Sequence, residues 1–460
     1  MAAAVGETEL AHEQTPTTQP PSDSPRRQFL RDIGFKWDPF AQPTAEQEYS
    51  FVDRDTLQVY PAIESPPLSP RPGDIPGVSA GNYYVDPLYN SRREGSVFDE
   101  LRAPGHALIY GAPGAGKSTL RLAVDADVRA FPDQTLVVTY EPGRAVESEI
   151  DEAMEVAGSA PAARRAAERD AHLRLLAAAL AVDLFIQIIE QFNYRQKPPT
   201  AAQNRAFCFV VRVIEPRLQP VLERLMRGED KPDLWGFAWL WRRLDRPIVR
   251  PVARTPFMQA WFKTLRRRQK RALEPTPDSA PELWQRALDA ARLWNFTHVY
   301  LMLDGLDTHW RDADRMFGLL DPLLRLMPLF AEQSVSLKCF LPPELKTRVE
   351  AALPGYGVAL VEVRAIELKW QPERLRRMLG ERFRAGGARR LGIADLMERD
   401  MREGIDDRLI EAAQGSPRRL LLILHELIEA HVARGRLEEP ITRPEWRRAL
   451  AVAEQRMQEA

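Results

Sequence analysis

Cysteine is nearly absent from this chain. Cys208 and Cys339 are the only two in 460 residues, and both sit in apolar runs. That excludes a disulfide-built fold and leaves packed thiols in a reducing cytoplasm as the expectation. The seven histidines do not cluster with cysteine or acids at zinc-ligand spacing. An excess of charge of one sign is missing too. Lys and Arg number 64 against 65 Asp and Glu, for a net charge of −1, so the whole molecule is neither a polybasic nucleic-acid binder nor an acidic tail protein. The opening MAAAVGETELAHEQ lacks a basic start and an apolar core, so no secretory signal is expected. The longest apolar stretch, 175–192, contains Asp183 and Glu190. It reads as a buried amphipathic helix rather than a transmembrane segment.

What is present is an ordinary globular composition, 44% hydrophobic, in a length that suits two to four structural units. Residues 1–29 are rich in Thr, Pro, Ser and Gln and read as a disordered tail. Residues 30–60 carry Phe35, Trp37, Phe40, Tyr49 and Phe51. Aromatics this dense are expected to dock on the central domain. A Pro-rich linker follows, PAIESPPLSPRPGDIP, and then a second aromatic cluster, NYYVDPLYN at 82–90. One of its rings either covers a bound base or simply docks.

The most informative stretch is HALIYGAPGAGKSTL, residues 106–120. Ala107 to Tyr110 reads as a buried strand entering a turn. Gly111, Ala112, Pro113, Gly114, Ala115, Gly116, Lys117, Ser118 and Thr119 then fit a phosphate-binding loop that opens a helix. The glycines let successive backbone N–H groups turn toward one anion, and the helix start adds its positive end. Lys117 suits the β- and γ-phosphates, and the Ser118 hydroxyl suits Mg²⁺.

A second element is HVYLMLDGLDTHW, residues 298–310. Val299 to Leu303 is a continuous apolar run, as in a central parallel strand. Asp304 follows at its C-terminal end, where open α/β sheets bind ligands. It is expected to hold Mg²⁺ directly or through water, or else to cap the next turn.

These two motifs together resemble the ASCE division of P-loop ATPases, which includes the AAA+ and STAND groups. Many AAA+ proteins carry Asp-Glu at the end of this strand, the Glu polarising the attacking water. Here Asp304-Gly305 stands instead. Asp304-Gly305-Leu306-Asp307 resembles the Asp-Gly-x-Asp of NACHT-type STAND members. The resemblance implies slow hydrolysis, with Asp307 positioning water.

Further on, LIEAAQGSPRRLLLILHELIEAH at 409–431 resembles a sensor-2 region, where an Arg at the start of a lid helix reports the γ-phosphate. Arg418 is the matching position, and Gly415-Ser416-Pro417 suits the Gly-x-Pro of STAND lids. The plain alternative is a solvated Arg pair, Arg418 and Arg419. SVSLKCFLPPELKTRV at 334–349 resembles the sensor-1 strand and following helix, with Lys338 either the sensor or a solvent-facing residue. A last strand is expected at 358–364 and a lid helix from about Pro372. The resemblance spans residues 101–142 and 297–432.

After a second strand at 135–142, Asp304 lies far downstream, much further than an ordinary connection reaches. A helical insertion is therefore expected at 145–296, with helices at 162–192, 201–228, 255–273 and 280–294. Within it, 241–272 has eleven Lys or Arg against the single acid Asp245, interleaved with Trp241, Trp261 and Phe262. Single-stranded nucleic acid, an anionic surface or an acidic partner would suit it, as would a solvated basic helix face.

The expected architecture is α/β: a three-layer P-loop core with a parallel sheet of about five strands, in parts 101–144 and 297–370. The segment 30–100 docks, 145–296 inserts, and 371–460 forms a helical lid. The expected ligands are ATP and Mg²⁺, since no Asn-Lys-x-Asp guanine-reading motif is present. The catalytic expectation falls on Lys117, Asp304, Asp307 and Arg418, acting in a cytoplasmic nucleotide-dependent switch. The protein partner is unknown, and nucleotide-dependent oligomerisation is a further expectation. The alternatives are a nucleic-acid-associated ATPase, a regulatory module that binds ATP without hydrolysing it, and a small-molecule kinase.

Overall fold

A computed structural model describes residues 25–35, 40, 97–129, 135–191, 198–227, 279–385 and 392–459. The basic stretch 241–272, the cluster 82–90 and Trp37, Tyr49 and Phe51 lie outside the described residues, as does the helix expected at 255–273.

Five strands form one all-parallel sheet in the order β2-β3-β4-β1-β5. They are β1 Ala107–Tyr110, β2 Thr135–Tyr140, β3 His298–Leu303, β4 Val335–Leu341 and β5 Arg364–Glu367. Side chains alternate between the faces. Leu108, Tyr110, Leu301 and Leu303 enter one apolar cluster, while Ala107, Ile109, Tyr300 and Met302 enter another. Burial on both faces explains why Ala107–Tyr110 and residues 299–303 read as unbroken apolar runs rather than as alternating patterns.

Two helices cover the second face, α2 Val97–Arg102 and α3 Lys117–Arg129, the latter through Leu120 and Val124. The other face is covered by α4 Arg144–Val156, α5 Pro161–Gln191, α6 Ala201–Arg227 and α7 Ala280–Leu293. After β3 come α8 Leu306–His309, α9 Ala313–Arg325 and α10 Met327–Glu332, and after β4 comes α11 Lys346–Ala352. The described helices of the expected insertion thus share a continuous core with the sheet, through residues such as Leu180, Phe185, Val210 and Trp284.

Helix α5 has a second task. By length and composition the stretch Pro161–Ile189 could cross a membrane. Here it lies against β2, an edge strand whose outer backbone groups need partners. Asp183 accepts a hydrogen bond from Thr139 N at 2.9 Å. Gln187 accepts from Val137 N at 3.3 Å and donates to Val137 O at 2.7 Å. The polar residues in the apolar run therefore serve as a substitute strand.

The C-terminal helices α12 Pro372–Ala385, α13 Ile393–Leu396, α14 Ile405–Ala413, α15 Pro417–Arg434 and α16 Arg443–Glu459 have their own core. Helix α1, Pro25–Asp32, joins it, so residues 25–29, expected as part of a disordered tail, are helical. Phe29 packs on His431, and Phe35 and Phe40 pack on Phe383 with ring centroids 5.3 and 5.7 Å apart. The described N-terminal aromatics therefore dock on the C-terminal bundle and not on the sheet domain. The bundle offers the unfilled apolar face, with the sheet already covered on both sides.

The last strand also differs from expectation. It is Arg364–Glu367 rather than 358–364, and Leu360–Glu362 is a 3₁₀ turn. The apolar run misled because Val361 is 93% exposed, whereas the polar-flanked Ile366 is buried.

Candidate functional site

The site gathers at the C-terminal ends of the strands. Gly111 ends β1 with its N–H bonded to Leu341 O on β4 at 3.0 Å. The loop turns through Gly114 and Gly116, both at positive φ, and α3 begins at Lys117. Lys117 is 6% exposed. Its Nζ donates to Gly111 O at 2.7 Å and to Ala112 O at 3.4 Å. It also meets Asp307 Oδ2 at 2.7 Å. The sequence motif thus folds as a turn whose cation lies over its own start, at the N-terminus of a helix.

The structure brings Asp307 to Lys117, although water positioning was its expected role. Asp304 is also brought to the site and is 3% exposed. Its Oδ2 accepts from Arg121 Nε at 2.9 Å, and its Oδ1 accepts from Gly305 N at 2.9 Å. Gly305 is left-handed at φ 84° and starts the short helix α8. Arg121 also reaches Glu141 Oε1 at 3.5 Å, at the end of β2. Lys117 pairs with Asp307, and Arg121 pairs with Asp304 and Glu141, so each buried charge has a compensating neighbour.

Ser118 and Thr119 lie in the first turn of α3. Hard oxygen donors such as Ser118 and the carboxylates fit Mg²⁺ in kind. Both Asp304 oxygens already accept hydrogen bonds, so Asp304 suits Mg²⁺ through water better than directly. Among the described residues no group of three His, Cys, Asp or Glu forms a metal cluster.

Tyr140, the residue before Glu141, is buried in the core shared with α5, where its Oη lies 3.2 Å from His172 Nδ1. Burial raises the Tyr140 phenol and lowers His172 to about 4.

The C-terminal bundle reaches the same loop. Ser416 caps α15 by accepting from Arg419 N at 3.2 Å, with Pro417 at the first helical position. This seats Arg418 beside the loop, its N–H donating to Gly114 O at 3.3 Å. A Cβ on Gly114 would stand 2.9 Å from Arg418 Cβ and 2.8 Å from Ser416 Oγ. Trp370 Nε1 donates to Ala115 O at 2.8 Å. The outward carbonyls of Gly114 and Ala115 thus hold both the core-to-bundle connection and the start of α15.

Lys338 is neither solvent-facing nor at this site. It is fully buried, donates to Ala103 O at 3.0 Å and Gly105 O at 3.4 Å, and lies over the Tyr300 ring at 4.5 Å. Its strand position pairs with Ala107, the first residue of β1, toward the far end from the loop. Burial and the Arg364 charge lower it to about 7.

Three site residues escaped sequence reasoning: Arg121, Glu141 and Trp370. Arg121 follows Lys117 by one helical turn, which is a readable signal. Glu141 precedes Pro142 at a strand end, and Trp370 precedes Pro372. Neither belongs to a recognisable pattern. Compared with protein-family models, curated proteins and solved structures, the chain matches none.

Proposed function

We propose that the chain is a P-loop ATPase of AAA+/STAND type, which binds ATP, hydrolyses it slowly and uses the difference as a conformational switch. One observation carries this reading. Lys117, in a glycine-rich turn at the start of α3, meets Asp307 of α8, Arg121 of α3 meets Asp304 just after β3, and Arg418 and Ser416 of the C-terminal bundle sit on the same turn. The interposition of β4 between β1 and β3 agrees with the extra strand of ASCE sheets.

In this reading Lys117 exchanges the Gly111 carbonyl and Asp307 for the β- and γ-phosphates. The loop N–H groups other than at Pro113, which has none, and Ala115, which donates to Ala112 O at 3.0 Å, would face the same anion together with the α3 N-terminus. Ser118, and Asp304 through water, would hold Mg²⁺, which when bound neutralises charge on the phosphate oxygens. Arg418 senses the γ-phosphate, and because its backbone rests on Gly114, a shift of the loop moves α15 and its bundle. The ATPase is read as cytoplasmic, with a partner engaged through 241–272, single-stranded nucleic acid being the occupant its basic and aromatic composition favours.

The test compares the full chain with Lys117→Ala by calorimetry and by phosphate release. Binding and turnover that both exceed the variant support the proposal. Binding that exceeds the variant without turnover supports the regulatory-module alternative. Equal binding by both proteins overturns the site.

A further inference from the structure

Resting on the hydrolytic reading above, we propose that Glu141, at the end of β2, is the carboxylate that takes the proton from the attacking water. Strands β2 and β3 run in register, Tyr140 beside Leu303, and Asp304 N donates to Tyr140 O at 3.3 Å. Glu141 and Asp304 therefore leave the same end of the sheet side by side. Their environments then diverge. Asp304 is buried with both oxygens satisfied. Glu141 has a half-exposed side chain and, among the described residues, one loose ionic partner.

That partner sets its direction. Arg121 lies one turn beyond Lys117 on α3, so both cations emerge on one helix face. A single guanidinium spans the two acids, Nε on Asp304 at 2.9 Å and Nη2 on Glu141 at 3.5 Å. The longer separation exceeds a good hydrogen bond, which leaves Glu141 lone pairs open to water. Asp307, the other candidate, has its Oδ2 on the Lys117 ammonium and is largely buried.

Gly305 completes the argument. A glutamate there would be the usual neighbour of Asp304 in the AAA+ proteins that this chain resembles. At φ 84° a side chain is strained. A Cβ at 305 would also start 3.9 Å from Glu141 Cγ, within the space that Glu141 borders. The adjacent strand thus offers the carboxylate that β3 cannot carry.

In the step itself, the water oxygen bonds to the γ-phosphorus as a water proton passes to Glu141. The bond from γ-phosphorus to the bridging oxygen breaks, and its electron pair leaves with ADP. Glu141 then returns the proton to solvent.

The experiment uses the full chain as wild type, Lys117→Ala, Glu141→Gln and Glu141→Asp. Displacement of a fluorescent ATP analogue reads binding, single-turnover phosphate release reads chemistry, and thermal melting checks folding. Glu141→Gln is expected to bind ATP within about twofold of wild type, melt alike, and hydrolyse at least about 100-fold more slowly. Glu141→Asp, with its carboxylate withdrawn by a methylene, is expected to lose about tenfold or more. Turnover within threefold of wild type in Glu141→Gln overturns the role of Glu141 and leaves the ATPase reading standing. Wild type no faster than Lys117→Ala overturns both. If Glu141→Gln fails to fold, an unchanged rate in Glu141→Asp overturns the proposal.

Discussion

Lys117 Nζ lies 2.7 Å from Asp307 Oδ2, although the two residues are 190 positions apart in the chain. The pair is largely buried, so its attraction is poorly screened. An incoming triphosphate must compete with Asp307 for the ammonium and also meets Asp307 as a like charge. Asp307→Asn is therefore expected to bind Mg²⁺-free ATP more tightly, about two- to tenfold, with the gain shrinking at high salt. Titration of a fluorescent ATP analogue in chelator at two ionic strengths checks this, and weaker binding in both would refute it.

Gly114 is where the loop meets α15. Its φ of 81° and the 2.8 and 2.9 Å approaches of Ser416 Oγ and Arg418 Cβ leave no room for a methyl group. Gly114→Ala should cost about 1–3 kcal/mol and push the start of α15 off the loop. The measurements are urea unfolding and limited proteolysis with ADP or an ATP analogue. The two proteolysis patterns are expected to converge in the variant. A variant with full stability and distinct patterns would show that the contact is incidental.

Asp183 on α5 accepts from Thr139 N on the edge strand. Truncation to Ala leaves that amide without this partner in an apolar layer, at a cost of about 1–3 kcal/mol. Asn retains an acceptor oxygen and should lose less. Chemical denaturation of the two variants against wild type decides it, and an Asn variant as unstable as Ala would refute the acceptor role.

Lys338 is lowered to about 7 by burial and by Arg364, from an ordinary value of 10.5. Between those two values the unfolded chain binds the proton and the folded one has released it. The Lys338 contribution to stability therefore rises with pH across that window and is flat below about 7. The excess is at most about 5 kcal/mol. Lys338→Met should remove this rise, which unfolding curves at pH 6, 8 and 10 would reveal as a changing difference from wild type. A difference that stays constant with pH would mean that Lys338 keeps its charge state throughout.

Several elements were legible in the residues alone. Apolar runs at 107–110 and 299–303 marked buried strands, because a strand covered on both faces has no need to alternate, and strands were also expected at 135–142 and at the start of 334–349. The spacing from Gly111 to Ser118 marked the turn between β1 and α3, and Pro417 after Ser416 marked the start of α15. Lys117 and Asp304 were picked out by local pattern, Asp307 and Arg418 by the resemblance to STAND and AAA+ motifs, and the fold brings all four to one end of the sheet or beside its loop.

What the tertiary structure decided was partnership. Nothing local distinguishes Glu141 from any acid before a proline, and only the pairing of β2 with β3 sets it beside Asp304. Lys338 in a strand reads equally as sensor, surface or core until the backbone carbonyls of Ala103 and Gly105 close on it. Phe35 and Phe40 announced that they would be buried, but they dock on the C-terminal bundle and not on the central domain as expected, since apolar burial is non-directional and any uncovered face would serve. The sequence by itself determined four of the five strands, the glycine-rich turn after β1 and the burial of Phe35 and Phe40, because periodicity and backbone sterics act over a few residues. Only the tertiary structure decided which charges face one another, because those contacts join positions up to hundreds of residues apart, and packing, not local preference, selects them.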